Sequence, residues 1–375
     1  MDFQRSPILV FWETTRACLL SCMHCRASAI PEALPGQLTT EEGMRLIRQV
    51  RSFGPRPPVL ILTGGDPFMR WDLFALAELA RSLHVPVGFA PSVTPLLTED
   101  AMDRMRELGV KTVSISLDGA HPATHEGVRG VAGHFEKTTG TIGRLVERGF
   151  TVQVNTTVMR SNVEELADVA ALVASLGAHI WEVFFLIRVG RGAELEELAP
   201  LQNEEVMHFL FDASRYGFIV RTVEGPFFRR VVAWRRVLPE DVDPAERLGL
   251  GPLYQLLRSK LRDRLGEPDA GARAHSAGTR DGNGIVFVAH NGDVYPAGFL
   301  PMALGNVRDR SLVDIYRCHP LLQAIRRADF AGRCGVCEFR DACGGSRARA
   351  TAILGDPLGE DPACAYLPPP RRRGR

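Results

Sequence analysis

Residues 8–15, Ile-Leu-Val-Phe-Trp-Glu-Thr-Thr, are rich in β-branched and aromatic side chains and read as a buried strand. The period then changes. Thr39-Thr40-Glu41-Glu42 has the spacing of a capped helix start, and the helix runs to about Phe53. Val59-Leu60-Ile61-Leu62-Thr63 is a short apolar run that stops at Gly64-Gly65-Asp66-Pro67, giving a second strand. The alternation continues through helix 72–83, strand 85–90, helix 98–108, strand 110–117, helix 135–148, strand 150–158, helix 163–176 and strand 180–187. Six strand–helix units in series predict an α/β fold, a partial (β/α)6 TIM-like barrel with its site at the C-terminal ends of the strands. A doubly wound open sheet has the same periodicity.

The pattern weakens after about residue 225, and 235–283 is rich in Arg, Asp, Gly and Pro, with one helix expected over 254–265. Ile285-Val286-Phe287-Val288 and Val294-Tyr295 then flank Asn291-Gly292, a strong hairpin signal, and a helix is expected over 311–328. The predicted organisation is a barrel over 1–225, a bridging region over 226–284, a small C-terminal module over 285–367 and a basic, solvated tail over 368–375.

Composition removes several classes. Apolar residues make up 45% and charged residues 24%, so the chain can bury a large core. Lys and Arg number 45 against 44 Asp and Glu, which leaves no global field to draw the protein to nucleic acid or an anionic membrane. The first residues lack an apolar signal core, and no stretch approaches the roughly 18 apolar residues of a membrane helix. A cytoplasmic location is expected.

In a reducing compartment the eight cysteines point to metal ligation or catalysis rather than disulfides. They form two groups, one near each end of the chain. Cys18-x3-Cys22-x2-Cys25 follows the first strand, close enough for three thiolates to converge on one metal centre. Zinc sites of the structural kind are closed by four ligands, and His24 stands between two of these cysteines. Three thiolates on a cubane iron–sulfur cluster would instead leave one iron open.

This spacing resembles the signature of the radical S-adenosylmethionine (radical SAM) superfamily, in which an aromatic ring or His precedes the last cysteine, here His24. The resemblance implies a [4Fe-4S] cluster on Cys18, Cys22 and Cys25 whose open iron chelates the amino and carboxylate groups of SAM. One-electron reduction then cleaves the sulfonium to a 5′-deoxyadenosyl radical. Gly64, Gly65, Asp66 and Pro67 are similar to the family's Gly-Gly-Glu-Pro loop, which implies contacts to the methionine ammonium. Ser116, in Ser116-Leu117-Asp118-Gly119, and Arg129 match the residues that contact the SAM carboxylate, while Asp118 could equally cap a helix. Asn155 matches a ribose or methionine contact, and Leu186, after the sixth strand, part of the adenine wall. Leu19 departs from the family, where Asn is common.

The second group, Cys334-x2-Cys337-x5-Cys343 with Cys364 further on, supplies enough thiolates to close a metal site, with a zinc ribbon as the plain alternative. With the Asn291-to-Pro296 hairpin and Gly305-Asn306-Val307, it resembles the SPASM/Twitch extension of radical SAM maturases. Full SPASM domains ligate two auxiliary clusters, but two of the extra ligands are missing, at Ala297 and just after Cys343. The resemblance therefore implies one auxiliary [4Fe-4S] cluster, on Cys334, Cys337, Cys343 and Cys364, with Cys318 a free buried thiol.

Residues 343–350 and 355–364 are most similar to radical SAM enzymes that tailor tetrapyrroles in alternative haem and haem d1-type pathways. That implies hydrogen abstraction from a cofactor precursor such as a propionate-bearing tetrapyrrole. Arg188, Arg191, Arg229, Arg230, Arg347 and Arg349 are candidate carboxylate partners, set against the solvated-surface reading that fits most arginines. A second reading is a SPASM-type maturase of a ribosomally made peptide. Against it, a first strand beginning by about residue 8 leaves no room for a leader-peptide-binding domain. A third is a non-catalytic iron–sulfur or zinc-binding protein. The implied partners are a small-molecule or peptide substrate and an electron donor such as ferredoxin or flavodoxin, with neither nucleic acid nor membrane.

Overall fold

A computed structural model describes residues 2–239, 241–268, 270–275 and 278–369 of the chain. Nine strands form one sheet: β1 (Leu9–Thr15), β2 (Val59–Gly64), β3 (Val87–Phe89), β4 (Thr112–Ser116), β5 (Thr151–Val158), β6 (Ile180–Phe185), β7 (Ile219–Val223), β8 (Ile285–Val288) and β9 (Val294–Tyr295). Their order is β7-β6-β5-β4-β3-β2-β1-β8-β9, parallel throughout except for the β8–β9 hairpin. The helices between strands cover one face. Val10 and Trp12 of β1, Leu60 and Leu62 of β2 and Val152 and Val154 of β5 are fully buried in that layer. Strand alternation sends their neighbours Phe11, Glu13, Gln153 and Asn155 to the other face, the barrel interior.

The sheet curls. β6 and β9 lie seven neighbours apart, about 34 Å in a flat sheet. Yet Phe184 of β6 meets Phe299, just beyond β9, with ring centroids 6.1 Å apart. The loop after β9 therefore crosses the mouth of an open, partial barrel, and its Leu300 packs with Ile187 and Ala348 on the far side.

The six expected strands are present, and the structure adds two parallel partners. β7 has the sequence Ile-Val-Arg-Thr-Val, alternating but short, and pairs along β6 from Ile219 to Val223. β8, the start of the expected C-terminal module, pairs in parallel with β1, so module and barrel share a sheet. The expected bridging region holds the helices Phe228–Val237, Pro244–Leu248 and Pro252–Leu265. The helix expected over 311–328 is two, Leu312–Cys318 and Pro320–Arg327, because Pro320 has no N–H to continue the first and sits instead at the start of the second. Cys318, expected to be buried, is exposed at that break. Most of the expected basic tail, 370–375, lies outside the described residues. Among the described residues no helix is long and apolar enough to cross a membrane.

Candidate functional site

β1 delivers the chain into a loop that packs Cys18, Cys22, Leu20 and Ala29 into one apolar cluster, with Cys25 and Val131 against it. The three N-terminal thiols are thus brought together at the strand's C-terminal end. Backbone N–H groups point at two of the sulfurs, Leu20 N to Cys18 at 3.3 Å and Ala29 N to Cys25 at 3.5 Å, and Arg129 Nη1 reaches Cys22 at 3.5 Å. Such donors suit thiolates that carry cluster charge. Burial pushes the Cys18 thiol up, so a metal, not the apoprotein, must draw off its proton.

Arg191 fixes this loop. Its backbone N–H donates to Cys25 O at 3.0 Å, Nε to Cys22 O at 2.8 Å and Nη1 to Ala29 O at 2.7 Å. A residue considered for substrate carboxylates is therefore committed to the cysteine loop. No local sequence signal marks that role.

The end of β2 meets the loop at Gly64 and Gly65. A Cβ on Gly64 would lie 2.3 Å from Thr15 O, and one on Gly65 2.3 Å from Ala17 O, so only bare backbone fits. Asp66 and Pro67 follow. The buried Asp66 carboxylate accepts from Phe68 N at 3.1 Å, capping the short turn Pro67–Met69, and from Thr94 Oγ1 at 2.8 Å. Burial raises its pKa.

Asp118 does not cap a helix. Its fully buried carboxylate accepts from His24 Nε2 at 2.9 Å and Thr157 N at 2.8 Å and pairs with Arg129. Burial alone would raise this carboxyl, but the Arg129 and His24 charges hold it well below the usual carboxylate range. Arg129 keeps one buried N–H, at Nε, without a partner. His24, Arg129 and Asp118 thus form one network beside Cys22. Leu186 packs with Val128 and Met159 next to it.

Ser116, Asn155, Glu182 and Arg221 are paired in register across β4, β5, β6 and β7, a polar row inside the barrel. Gln153 Nε2 ties Asn155 Oδ1 and Glu182 Oε2, each at 2.8 Å. Asn155 is therefore bonded to a side chain and not to backbone. Burial pushes the Glu182 carboxyl up to about 7 against the pull of Arg221, whose Nε has no partner. On the opposite wall Glu13 receives Arg26 Nη1 at 3.0 Å and His290 Nδ1 at 3.1 Å. Burial works to raise the Glu13 carboxyl, yet Arg26 and His290 lower it. Glu182, Arg221, Glu13 and His290 were not legible as site residues, since each is a single polar position within an apolar strand or at its end.

Near the C-terminus, Cys334, Cys337, Cys343 and Cys364 line one cavity with about 460 Å³ of atom-free space, continuous with solvent. Phe227, Phe339 and Tyr366 make much of the rest of its wall. Asp361 N points at Cys334 at 3.4 Å, Phe339 N at Cys337 at 3.4 Å and Gly345 N at Cys343 at 3.5 Å. Burial pushes the Cys343 thiol up to about 12 and the Cys364 thiol up to about 11. Among the described residues, no group of three or more Cys, His, Asp or Glu side chains forms a single-ion site. Four thiols around one chamber match the ligand count of a cluster.

The surface reading of the arginines fails for several. Arg230, Arg347 and Arg349 are fully buried on helices rather than exposed on loops. Arg230 makes a fork-to-fork pair with Glu204 at 2.7 and 2.6 Å. Arg349 bonds Glu197 at 3.0 Å, Glu224 O at 2.9 Å and Leu186 O at 3.2 Å, and Arg347 reaches Gly345 and Pro357 carbonyls and Cys334 Sγ. Arg229 donates to Ala342 O and Thr279 O. Their partners bind the second cysteine group to the barrel. Arg188 is the exposed member of the set.

The geometry has counterparts. A profile of the radical SAM superfamily matches residues 12–173, and one of the SPASM iron–sulfur cluster-binding domain matches 280–343. AdoMet-dependent heme synthase of Methanosarcina barkeri is 34% identical over 97% of this chain and 97% of its own. Pre-heme d1 synthase of Dinoroseobacter shibae is 30% identical over 96% of this chain and 88% of its own. The crystal structure of anSMEcpe with bound AdoMet shares the fold, with a TM-score of 0.66 at 17% identity over 95% of this chain and 93% of that one. The chain belongs to the radical SAM superfamily, carries a SPASM iron–sulfur cluster-binding domain, and is an enzyme that uses SAM and [4Fe-4S] clusters.

Proposed function

We propose that the enzyme abstracts hydrogen from a propionate-bearing tetrapyrrole with a SAM-derived radical. The observation that carries this reading is the 34% identity, across nearly the whole chain, to AdoMet-dependent heme synthase. Cys18, Cys22 and Cys25 hold the cluster that binds SAM, and Cys334, Cys337, Cys343 and Cys364 hold one auxiliary cluster. When bound, the first cluster supplies the electron that cleaves SAM to a 5′-deoxyadenosyl radical.

The protein's part is binding, orientation and exclusion of water. Bare backbone at Gly64 and Gly65 lets the end of β2 pack directly on the start of the cysteine loop, which brings Asp66 and Pro67 beside the site for the methionine end. Ser116, Arg129 and Asn155 offer polar contacts along one wall, Leu186 an apolar one, and His24 ties the cysteine loop to Asp118. Arg129 brings an unpartnered buried N–H for the SAM carboxylate. The loop across the mouth, carrying Phe299 and Leu300, shields the interior. A soluble one-electron donor of the ferredoxin or flavodoxin type is required to start each turnover.

Anaerobically reconstituted enzyme with SAM, dithionite and Fe-coproporphyrin III is expected to lose propionate carboxyls from the macrocycle as 5′-deoxyadenosine forms. Deoxyadenosine release with an unchanged macrocycle, alongside modification of a short peptide supplied in its place, would favour the peptide-maturase reading.

A further inference from the structure

One side-chain pair inside the barrel is used by neither thiol group. His290 follows β8 and bonds through Nδ1 to Glu13 Oε1 at 3.1 Å, although 277 positions separate them in the chain. The ionised carboxylate accepts, so Nδ1 donates, and in the neutral ring the lone pair lies on Nε2. Among the described residues Nε2 has no hydrogen-bond partner. Glu13 itself is held: it is 4% exposed, and its other oxygen takes Arg26 Nη1 at 3.0 Å.

A carboxylate on one imidazole nitrogen, with the other free, is how proteins aim a histidine at a metal and raise its basicity. A lone imidazole does not retain a free ion. No further Cys, Asp or Glu converges with this pair into a metal site among the described residues. Any metal that His290 meets must therefore arrive already held by other donors.

The surroundings suit a flat carrier. The Arg26 guanidinium lies over the Phe287 ring, 4.4 Å from its centroid, and Phe287 stacks on Tyr295 with the planes 5° apart. Gly298 fits against both Arg26 and Phe287, where a Cβ would come within 3.2 Å of each. The planar Arg26 guanidinium on top of this stack, with bare backbone at Gly298 beside it, suits a flat macrocycle that carries carboxylates on its rim.

We infer that His290 Nε2 is the axial ligand to the iron of an iron porphyrin substrate, with Glu13 as the positioning residue. The inference rests on the tetrapyrrole reading above and adds to it which side chain takes the iron. On binding, the Nε2 lone pair forms the Fe–N bond as a water leaves the iron, and no electron is transferred.

The test uses the reconstituted holoenzyme without SAM, with Fe-coproporphyrin III and metal-free coproporphyrin III as probes. Resonance Raman spectra of the ferrous complex are expected to show an iron–histidine stretch. His290→Ala should abolish the band, added imidazole should restore an iron–imidazole band, and Glu13→Gln should keep it at lower frequency. Wild-type protein should bind the iron porphyrin about tenfold more tightly than the metal-free one, a preference that His290→Ala removes. Tight iron porphyrin binding with no iron–histidine band, or a band unchanged in His290→Ala, overturns the axial ligand and leaves the tetrapyrrole reading standing. Failure of wild-type enzyme to bind either porphyrin overturns both. Intact cluster absorption and an unchanged melting temperature in the variants exclude misfolding as the cause.

Discussion

The two cysteine groups solve opposite problems with the same side chain. At the N-terminus three thiols sit on a single loop, buttressed by Arg191, by backbone N–H groups and by the close-packed Gly64–Gly65 backbone, with the Asp118–Arg129 network beside Cys22. At the C-terminus four thiols drawn from separate turns surround one chamber, and buried arginines lock the whole unit to the barrel. On the function proposed above, the first leaves a coordination position and the second fills them all. The difference teaches that cysteine count and surroundings are read together: three thiols beside a buried polar network suit a reaction centre, and four behind aromatic walls suit a relay or a brace.

The sharpest break is Cys22→Ala. It should reduce 5′-deoxyadenosine formation under dithionite to the level seen without enzyme, while iron bound by the C-terminal group stays at about four per chain. Residual SAM cleavage near the wild-type rate would mean that the N-terminal loop is not the reaction centre.

Cys337→Ala probes the other side. Iron content should fall from about eight to about four per chain, with SAM cleavage retained and product at least about tenfold lower, 1.4 kcal/mol or more in barrier. Product at the wild-type yield would leave the auxiliary group with no chemical role.

Arg349→Met tests the brace. It strands Glu197 and the Asp361 carboxylate in the buried seam between the cysteine unit and the barrel, and the expected loss is about 3–5 kcal/mol in denaturant unfolding. A loss under about 1 kcal/mol would show that the seam carries little load.

Acid titration should single out Glu204. Burial would raise this carboxyl, but the bonds from Arg230 and His208 lower it from 4.5 to about 2. A depressed carboxyl stabilises the fold above its unfolded pKa, so the contribution, about 3 kcal/mol, is complete above pH 4.5 and lost as pH falls through about 2. Glu204→Gln should flatten that limb of the stability curve, and an unchanged limb would place the acid sensitivity elsewhere.

The last variant is Gly65→Ala, whose methyl would press on Ala17 O at 2.3 Å and displace the cysteine loop by roughly 1 Å. A loss of about 1–3 kcal/mol in SAM affinity, read by equilibrium binding, is expected.

How much of this was legible depended on whether the signal was local. The strands before residue 190, the cysteine loop and the Asn291-Gly292 hairpin each announce themselves within a dozen residues, through periodicity, spacing or turn chemistry. β7 was missed because five alternating residues with Arg221 inside look like a loop until β6 lies beside them. The pairing of β8 with β1 joins segments far apart in sequence, and no propensity scale contains it. The Pro320 break was readable, since a proline inside a helical pattern marks a boundary, and reading through it also misplaced Cys318. Buried arginines resist sequence reading most. Arg230, Arg347 and Arg349 have the composition of a surface, and only their distant acidic and carbonyl partners bring them inside. Glu13 and His290 belong to the same class, distant in the chain and adjacent in the barrel.

The central claim is that the N-terminal cysteines leave one iron open to SAM. The most direct measurement is the EPR spectrum of dithionite-reduced Cys337→Ala enzyme, reconstituted with its N-terminal cluster, recorded with and without SAM. A reduced [4Fe-4S] signal whose g-values shift when SAM is added is the predicted result, and a signal indifferent to saturating SAM would contradict it.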